Sequence, residues 1–261
     1  MRALALWTGG ILLVVAGYSA AAVKTKEIEY EHEGTKHKGF VAYDDSVRGK
    51  APGVLVFHEW WGLDEYAKKR AEQLAGMGYV AFCPDMYGEG KVTEHPKEAG
   101  KMAQTVRMNQ KVWQGRAQAA LDQLKKHENV DGDKIAAIGY CFGGSTALML
   151  AYSGAPIKAV ATFHAALPTP TAEQAKAIKA QILVCHGADD AFIPQDAIDK
   201  FKAALDGAKV KYKFESYPGA VHSFTVPGAD KREIKGMAYN ESADKKSWQQ
   251  MQDLFKSALG K

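Results

Sequence analysis

The chain is organised around short apolar runs with almost no polar interruption, separated by stretches long enough for a helix. Gly53-Val54-Leu55-Val56-Phe57, Tyr79-Val80-Ala81-Phe82, Ile135-Ala136-Ala137-Ile138, Ala159 to Phe163 and Ile182-Leu183-Val184 are all of strand length. Strands apolar on every residue are buried on both faces. Alternation with helix-length segments makes a parallel sheet covered on both sides. The intervening stretches read as helices over 64–77, 95–126, 143–151, 196–205 and 240–259, the second expected to break near Gly115. Residues 27–31 and 39–43 alternate like an edge hairpin, and 210–216 reads as the last strand. No linker, internal repeat or low-complexity tract interrupts the pattern. The expectation is one α/β domain with a mostly parallel central sheet and helices on both faces.

The first residues follow another logic. Arg2 precedes an uncharged stretch centred on Ile11-Leu12-Leu13-Val14-Val15, and Ser19-Ala20-Ala21-Ala22 offers small residues before Lys24. A basic start, an apolar run and an Ala-x-Ala-like exit describe a secretory signal peptide. Cleavage after Ala21 or Ala22 would leave a mature domain of 23–261, periplasmic or secreted. The rival is an uncleaved membrane anchor, against which stand the pair Gly9-Gly10, Thr8 and the Ala-rich exit. After cleavage no membrane association is expected. The formal charge of +4 comes without any block of Lys and Arg interleaved with aromatics, so no nucleic-acid partner is expected. The chain is expected to act as a monomer. Cys83, Cys141 and Cys185 are an odd count, which leaves at least one thiol free. Cys83 and Cys185 end apolar runs and read as buried strand residues.

Cys141 reads differently. In open parallel sheets ligands bind at the carboxyl ends of the strands, and after Ile135-Ala136-Ala137-Ile138 comes Gly139-Tyr140-Cys141-Phe142-Gly143-Gly144. This is the Gly-x-nucleophile-x-Gly spacing of a nucleophile elbow, with Cys in place of Ser. The turn puts Cys141 at a helix N-terminus, where the dipole favours negative charge. The competing reading is a structural cysteine beside an incidental glycine pair. A nucleophile needs a base, and the base an acid that orients it. After the strand ending at Cys185 comes His186-Gly187-Ala188-Asp189-Asp190-Ala191-Phe192-Ile193-Pro194, and after the last strand Gly219-Ala220-Val221-His222-Ser223-Phe224. The order Cys141, Asp190, His222 is that of nucleophile, acid and histidine in an α/β-hydrolase. Asp189 is the rival acid.

His58-Glu59-Trp60-Trp61-Gly62, Pro84-Asp85-Met86-Tyr87, the Cys141 elbow, Asp190 with Pro194, and His222-Ser223-Phe224 together resemble the dienelactone hydrolase family, from about Val54 to the C-terminus. The resemblance implies the α/β-hydrolase fold, without a separate cap domain, and hydrolysis of small carboxylic esters or lactones through a thioester. It also implies that Glu59 lies beside the thiol and takes up its proton when substrate arrives. The backbone N–H groups of Trp60 and Phe142 would form the oxyanion hole. Trp60, Trp61, Tyr87, Phe142 and Phe224 are expected to wall the substrate pocket, with His164 able to hydrogen-bond substrate. His58 and His186 are expected to pack or support. Family members that cleave dienelactone bind its anion with arginines after the Pro-Asp-x-Tyr segment and just past the histidine. Here the first place reads Gly88-Glu89-Gly90-Lys91, and Arg232 is further along than expected, so another ester, lactone or thioester fits better. No cofactor and no metal is expected, since neither a Cys-x-x-Cys nor a metal-ligand spacing occurs. Two other classes stay open, a non-catalytic binding module on a hydrolase scaffold and a thiol redox or metal-binding protein, and a thioesterase or acyltransferase using the same residues is the alternative among enzymes.

Overall fold

The computed structural model describes residues 23–261, so the signal-peptide reading of 1–22 lies outside the described residues. β1 (Val23–His32) and β2 (Thr35–Asp44) form the expected hairpin. There follow β3 (Ala51–Phe57), α1 (Glu65–Gly76), β4 (Val80–Cys83), α2 (Pro96–Arg107), α3 (Gln110–Lys125), β5 (Val130–Tyr140) and α4 (Phe142–Tyr152). β6 (Ala159–Phe163), α5 (Ala172–Ala177), β7 (Gln181–Gly187), α6 (Gln195–Gly207), β8 (Tyr212–Tyr217) and α7 (Glu241–Leu259) complete the order. The strands make one sheet in the order β1-β2-β4-β3-β5-β6-β7-β8. β1 with β2 and β2 with β4 are antiparallel; every later pairing is parallel.

The apolar runs behave as their composition requires. Along β3, Leu55 and Phe57 face one core with Ala117, Leu121 and Leu148, while Val54 and Val56 face the other with Leu74, Met251 and Phe255. Ile135 and Ala137 of β5 join the first set, Ala136 and Ile138 the second. Thus α3, α4 and α6 cover one face, and α1 and α7 the other. β4 lies to one side of β3 and β5 to the other, so the chain reverses direction across the sheet at β3. Such a switch point opens a crevice at the strands' carboxyl ends.

The helical stretch 95–126 breaks at Met108 and Asn109, not at Gly115. Asn109 is extended (φ −119°, ψ 91°), and its side chain accepts the Val112 N–H at 3.1 Å. Asparagine caps helices better than it continues them. Gly115 serves packing instead: a Cβ there would lie 2.9 Å from the His32 ring. Sequence reading also passed over α5, a short helix defined by a reciprocal cap between Thr171 and Gln174. Removing the Asn109 cap with Asn109→Ala should cost about 1 kcal/mol, read as a lower urea midpoint at unchanged slope.

Candidate active site

A single residue, Cys141, joins β5 to α4. Its backbone sits at φ 51°, ψ −113°, a left-handed conformation rare for any residue with a side chain. The turn is tight because α4 begins directly against the sheet. A Cβ on Gly139 would collide with the Gly143 carbonyl, one on Gly143 with the carbonyls of Phe57 and His58, and one on Gly144 would lie 2.5 Å from the Ala165 methyl. Phe142 opens α4, so its N–H is among those a helix leaves without an internal partner. The half-buried thiol therefore stands at an electropositive helix end.

His222 reaches the thiol from the loop after β8. Its Nδ1–H donates to Asp190 Oδ2 at 2.8 Å, and the other Asp190 oxygen accepts the Phe192 N–H at 3.0 Å. Asp190 is buried while Asp189 is exposed, so the carboxylate beside the ring is Asp190. Nε2 is left free of Asp190 on the ring's other side. Burial opposes a charge on His222, but the Cys141 sulfur and the hydrogen bond to Asp190 outweigh it and raise the ring's pKa.

Glu59 lies on the loop leaving β3, 2 % exposed. Its Oε1 accepts from the Ser223 hydroxyl at 3.0 Å and lies 3.8 Å from His164 Nδ1. Burial, and then the charge of Asp64 at the start of α1, push this carboxyl up to about 7, against the pull of His222, Ser223 and Arg232. The side-chain hydrogen bond of Glu59 is thus to Ser223. Two side chains pin the loop backbone. The His58 ring bridges the Glu59 carbonyl at 2.5 Å and the Met86 N–H at 3.1 Å, and the Tyr87 hydroxyl donates to the Trp60 carbonyl at 2.9 Å.

A cavity of about 230 Å³ opens over Cys141 and His222, walled by Trp60, Ala166, Phe192, Ile193, Ile234, Met237 and Arg107. Of the residues expected as walls, Trp60 lines it. Trp61, His164 and Phe224 are buried behind it, because side chains at the strand ends point back into the sheet's covering layers. Trp61 packs beneath the Arg232 guanidinium at 3.9 Å, His164 bonds the Thr225 hydroxyl at 2.8 Å, and Phe224 packs edge-on against His164. His164 is therefore not placed to touch substrate. Tyr87 lines a neighbouring groove beside α2, and Phe142 is wholly buried. His186 is buried against Phe214. Arg107 at the end of α2, not singled out from the sequence, brings a cation to the cavity from a helix and not from the loops after the strands. Cys83, Cys141 and Cys185 are all unpaired. Among the described residues no cluster of His, Cys, Asp and Glu is arranged to hold a metal ion, and no helix is long and apolar enough to cross a membrane.

A parallel sheet with a strained residue at a glycine-flanked strand-to-helix turn defines an α/β-hydrolase. Comparison with known proteins narrows the class. The model of the dienelactone hydrolase family matches residues 38–259, and the chain belongs to that family. It is a hydrolase of carboxylic esters or lactones. It is 30% identical to "Protein usf" of Aquifex pyrophilus over 202 residues, 76% of this chain and 85% of that protein. It is 28% identical to the "Putative carboxymethylenebutenolidase" of Aquifex aeolicus, over 89% of this chain and 98% of that one. Among solved structures, a dienelactone hydrolase-like promiscuous phosphotriesterase from metagenomic libraries is 38% identical with a TM-score of 0.88. That alignment covers 91% of this chain and 99% of the other.

The Glu59 shift has a consequence for stability. The folded protein holds this proton more tightly than the unfolded chain, so the contribution of Glu59 is intact below pH 4.5 and is lost as pH rises through about 7. Glu59→Gln, which cannot ionise, should gain roughly 2 kcal/mol on wild type between pH 5 and pH 8. Urea titrations at the two pH values check this; a constant difference would show that Glu59 does not titrate there.

Proposed function

We propose that the protein hydrolyses small carboxylic esters or lactones through a thioester on Cys141, with His222 as base and acid and Asp190 orienting it. The observation that carries this reading is that a strained Cys141 and a His222 hydrogen-bonded to Asp190 line the same cavity. The thiol gives its proton to His222, whose raised pKa suits it to accept. The sulfur then attacks the carbonyl carbon, and charge gathers on the carbonyl oxygen. The N–H groups of Phe142 and Trp60 receive that charge, a kind of stabilisation worth ~3 kcal/mol per donor. As the tetrahedral adduct collapses, the carbon–oxygen bond breaks and His222 protonates the departing alkoxide. Water, deprotonated by His222, attacks the thioester; the carbon–sulfur bond breaks, the acid is released, and His222 returns its proton to the Cys141 sulfur. Glu59 is a second base across the site. Ionised, it favours the charged His222; titrating near neutrality, it can also hold a proton as substrate arrives.

Arg107 supports a substrate with a negative group, since a fixed cation in an otherwise mostly apolar wall discriminates by charge. Residues 1–22 support export of the enzyme to a periplasmic or extracellular site of action.

Hydrolysis of p-nitrophenyl acetate by wild type, Cys141→Ala and Cys141→Ser tests the mechanism. Cys141→Ala should lose about a thousandfold or more in kcat/KM, and wild type quenched during turnover should carry the acyl group on Cys141 by mass spectrometry. Full activity in Cys141→Ala would sink the mechanism. Arg107→Ala should raise KM about tenfold for esters bearing a carboxylate, with neutral esters little changed. Equal effects on both would remove Arg107 from substrate recognition.

A further inference from the structure

The reaction has no direct use for His164, yet this ring is wholly buried in the site, on a backbone held at φ 41°. Burial and the charge of His222 push its pKa well below the usual range, so the ring is neutral and carries one N–H. Its neighbours decide which nitrogen bears it. Arg70 is buried in an ion pair with Asp244 and can only donate. Its Nε–H goes to the Tyr66 oxygen and an Nη2 proton to the Thr225 carbonyl, each at 3.1 Å. Tyr66 has one proton to give, and the shorter contact is Thr225 Oγ1 at 2.7 Å; the Thr225 carbonyl, at 3.1 Å, is already served by Arg70. Thr225 Oγ1 passes its own proton to His164 Nε2 at 2.8 Å. Nε2 is therefore an acceptor and the ring proton sits on Nδ1. That atom has no hydrogen-bond partner and faces Glu59 Oε1 at 3.8 Å.

We propose that His164 is a positioning residue for Glu59: a line of donors from Arg70 through Tyr66 and Thr225 locks its ring as the Nδ1–H tautomer, whose N–H dipole faces the Glu59 carboxylate from inside the protein. The functional half of this proposal rests on reading Glu59 as a base of the site. At 3.8 Å the contact is electrostatic and not a hydrogen bond, but in a dry interior a donor dipole at that range still favours the charged carboxylate. The other tautomer would aim a lone pair at Glu59 and turn the Thr225 hydroxyl away from its only nitrogen partner. The charged and titratable groups facing Glu59 are Asp64 at the start of α1, His222 after β8, Arg232 in the turn 229–232, and His164 itself. Asp64 alone among them opposes the carboxylate charge, and the His164 dipole helps to offset it.

Long-range proton–nitrogen NMR on histidine-labelled protein reads the tautomer directly, with the His164 signals assigned by their absence in His164→Gln. Wild type should show a protonated Nδ1 and a bare Nε2 across neutral pH. In Thr225→Val, which loses the hydroxyl but not the shape, that preference should weaken. The acid limb of kcat/KM for p-nitrophenyl acetate should also move up by about half a pH unit to one unit. Thr225→Ser should restore the wild-type limb, and Tyr66→Phe should shift it in the same direction by less. A role in packing alone would lower the rate at every pH and leave the limb in place. A protonated Nε2 in wild type, or an unmoved limb in a folded Thr225→Val protein, overturns the proposal. Full hydrolysis by Cys141→Ala would remove the thioester mechanism while leaving the tautomer result to stand or fall alone.

Discussion

The first turn of α4 touches the end of β3, and the rest of the site depends on that contact. Gly143 lies so close to the carbonyls of Phe57 and His58 that no side chain fits between them. The approach brings the ends of β3 and β5 together at the point where the chain changes direction across the sheet, so the loops carrying Glu59 and Cys141 open into the same crevice. It also forces Cys141 into a backbone conformation that costs on the order of 1–3 kcal/mol. The cost is offset next door. Phe142 is buried parallel to Trp113 at 5.8 Å and packed against His58 and Tyr87, and Trp113 donates to the Thr146 hydroxyl at 2.8 Å. An aromatic anchor one residue beyond the strained position leaves the elbow no room to relax.

Two buried carboxylates then take different roles because their surroundings differ. Asp190 accepts on both oxygens, from His222 and from the Phe192 backbone, which suits a fixed partner for a charged ring. Glu59 has one hydroxyl as a hydrogen-bond donor, a histidine beyond bonding distance and a second carboxylate in its field, so its charge is poorly supported and its proton exchangeable near neutrality.

The strands were legible because their signal is local: a run such as Val54-Leu55-Val56-Phe57 has to be buried on both faces wherever it lies. The elbow was legible for a related reason, since Gly139, Gly143 and Gly144 report a close approach that only a strand-to-helix turn creates. Asp190 and His222 followed from being next to strand ends. The break at Asn109 was not found, because Gly115 looked the weaker helix residue, and its packing against His32 is made between parts of the chain far apart in sequence. The line from Arg70 to His164 escaped for the same reason. Tyr66 and Thr225 are 159 positions apart, and neither residue type is unusual where it stands. His164 and Phe224 were taken for pocket walls because position along a strand tells that a side chain is near the site, not which side of the backbone it occupies.

Arg107 shows where this logic divides. The reacting groups sit on loops at strand ends, so their places follow from the sheet, and the sheet follows from apolar runs. Most of the cavity wall lies further along the same loops, with Trp60 beside Glu59, Phe192 and Ile193 just past Asp190, and Ile234 and Met237 past His222, whereas Arg107 comes from the end of α2. These segments carry weak periodicity and are held in place by caps and turns, which tolerate substitution far better than a strand buried on both faces. A fold built this way can exchange one substrate for another by changing residues that the sheet does not need. Residues at the strand ends could therefore be placed from sequence, because the sheet fixes them, while Arg107, at the end of a helix beside the cavity, could not.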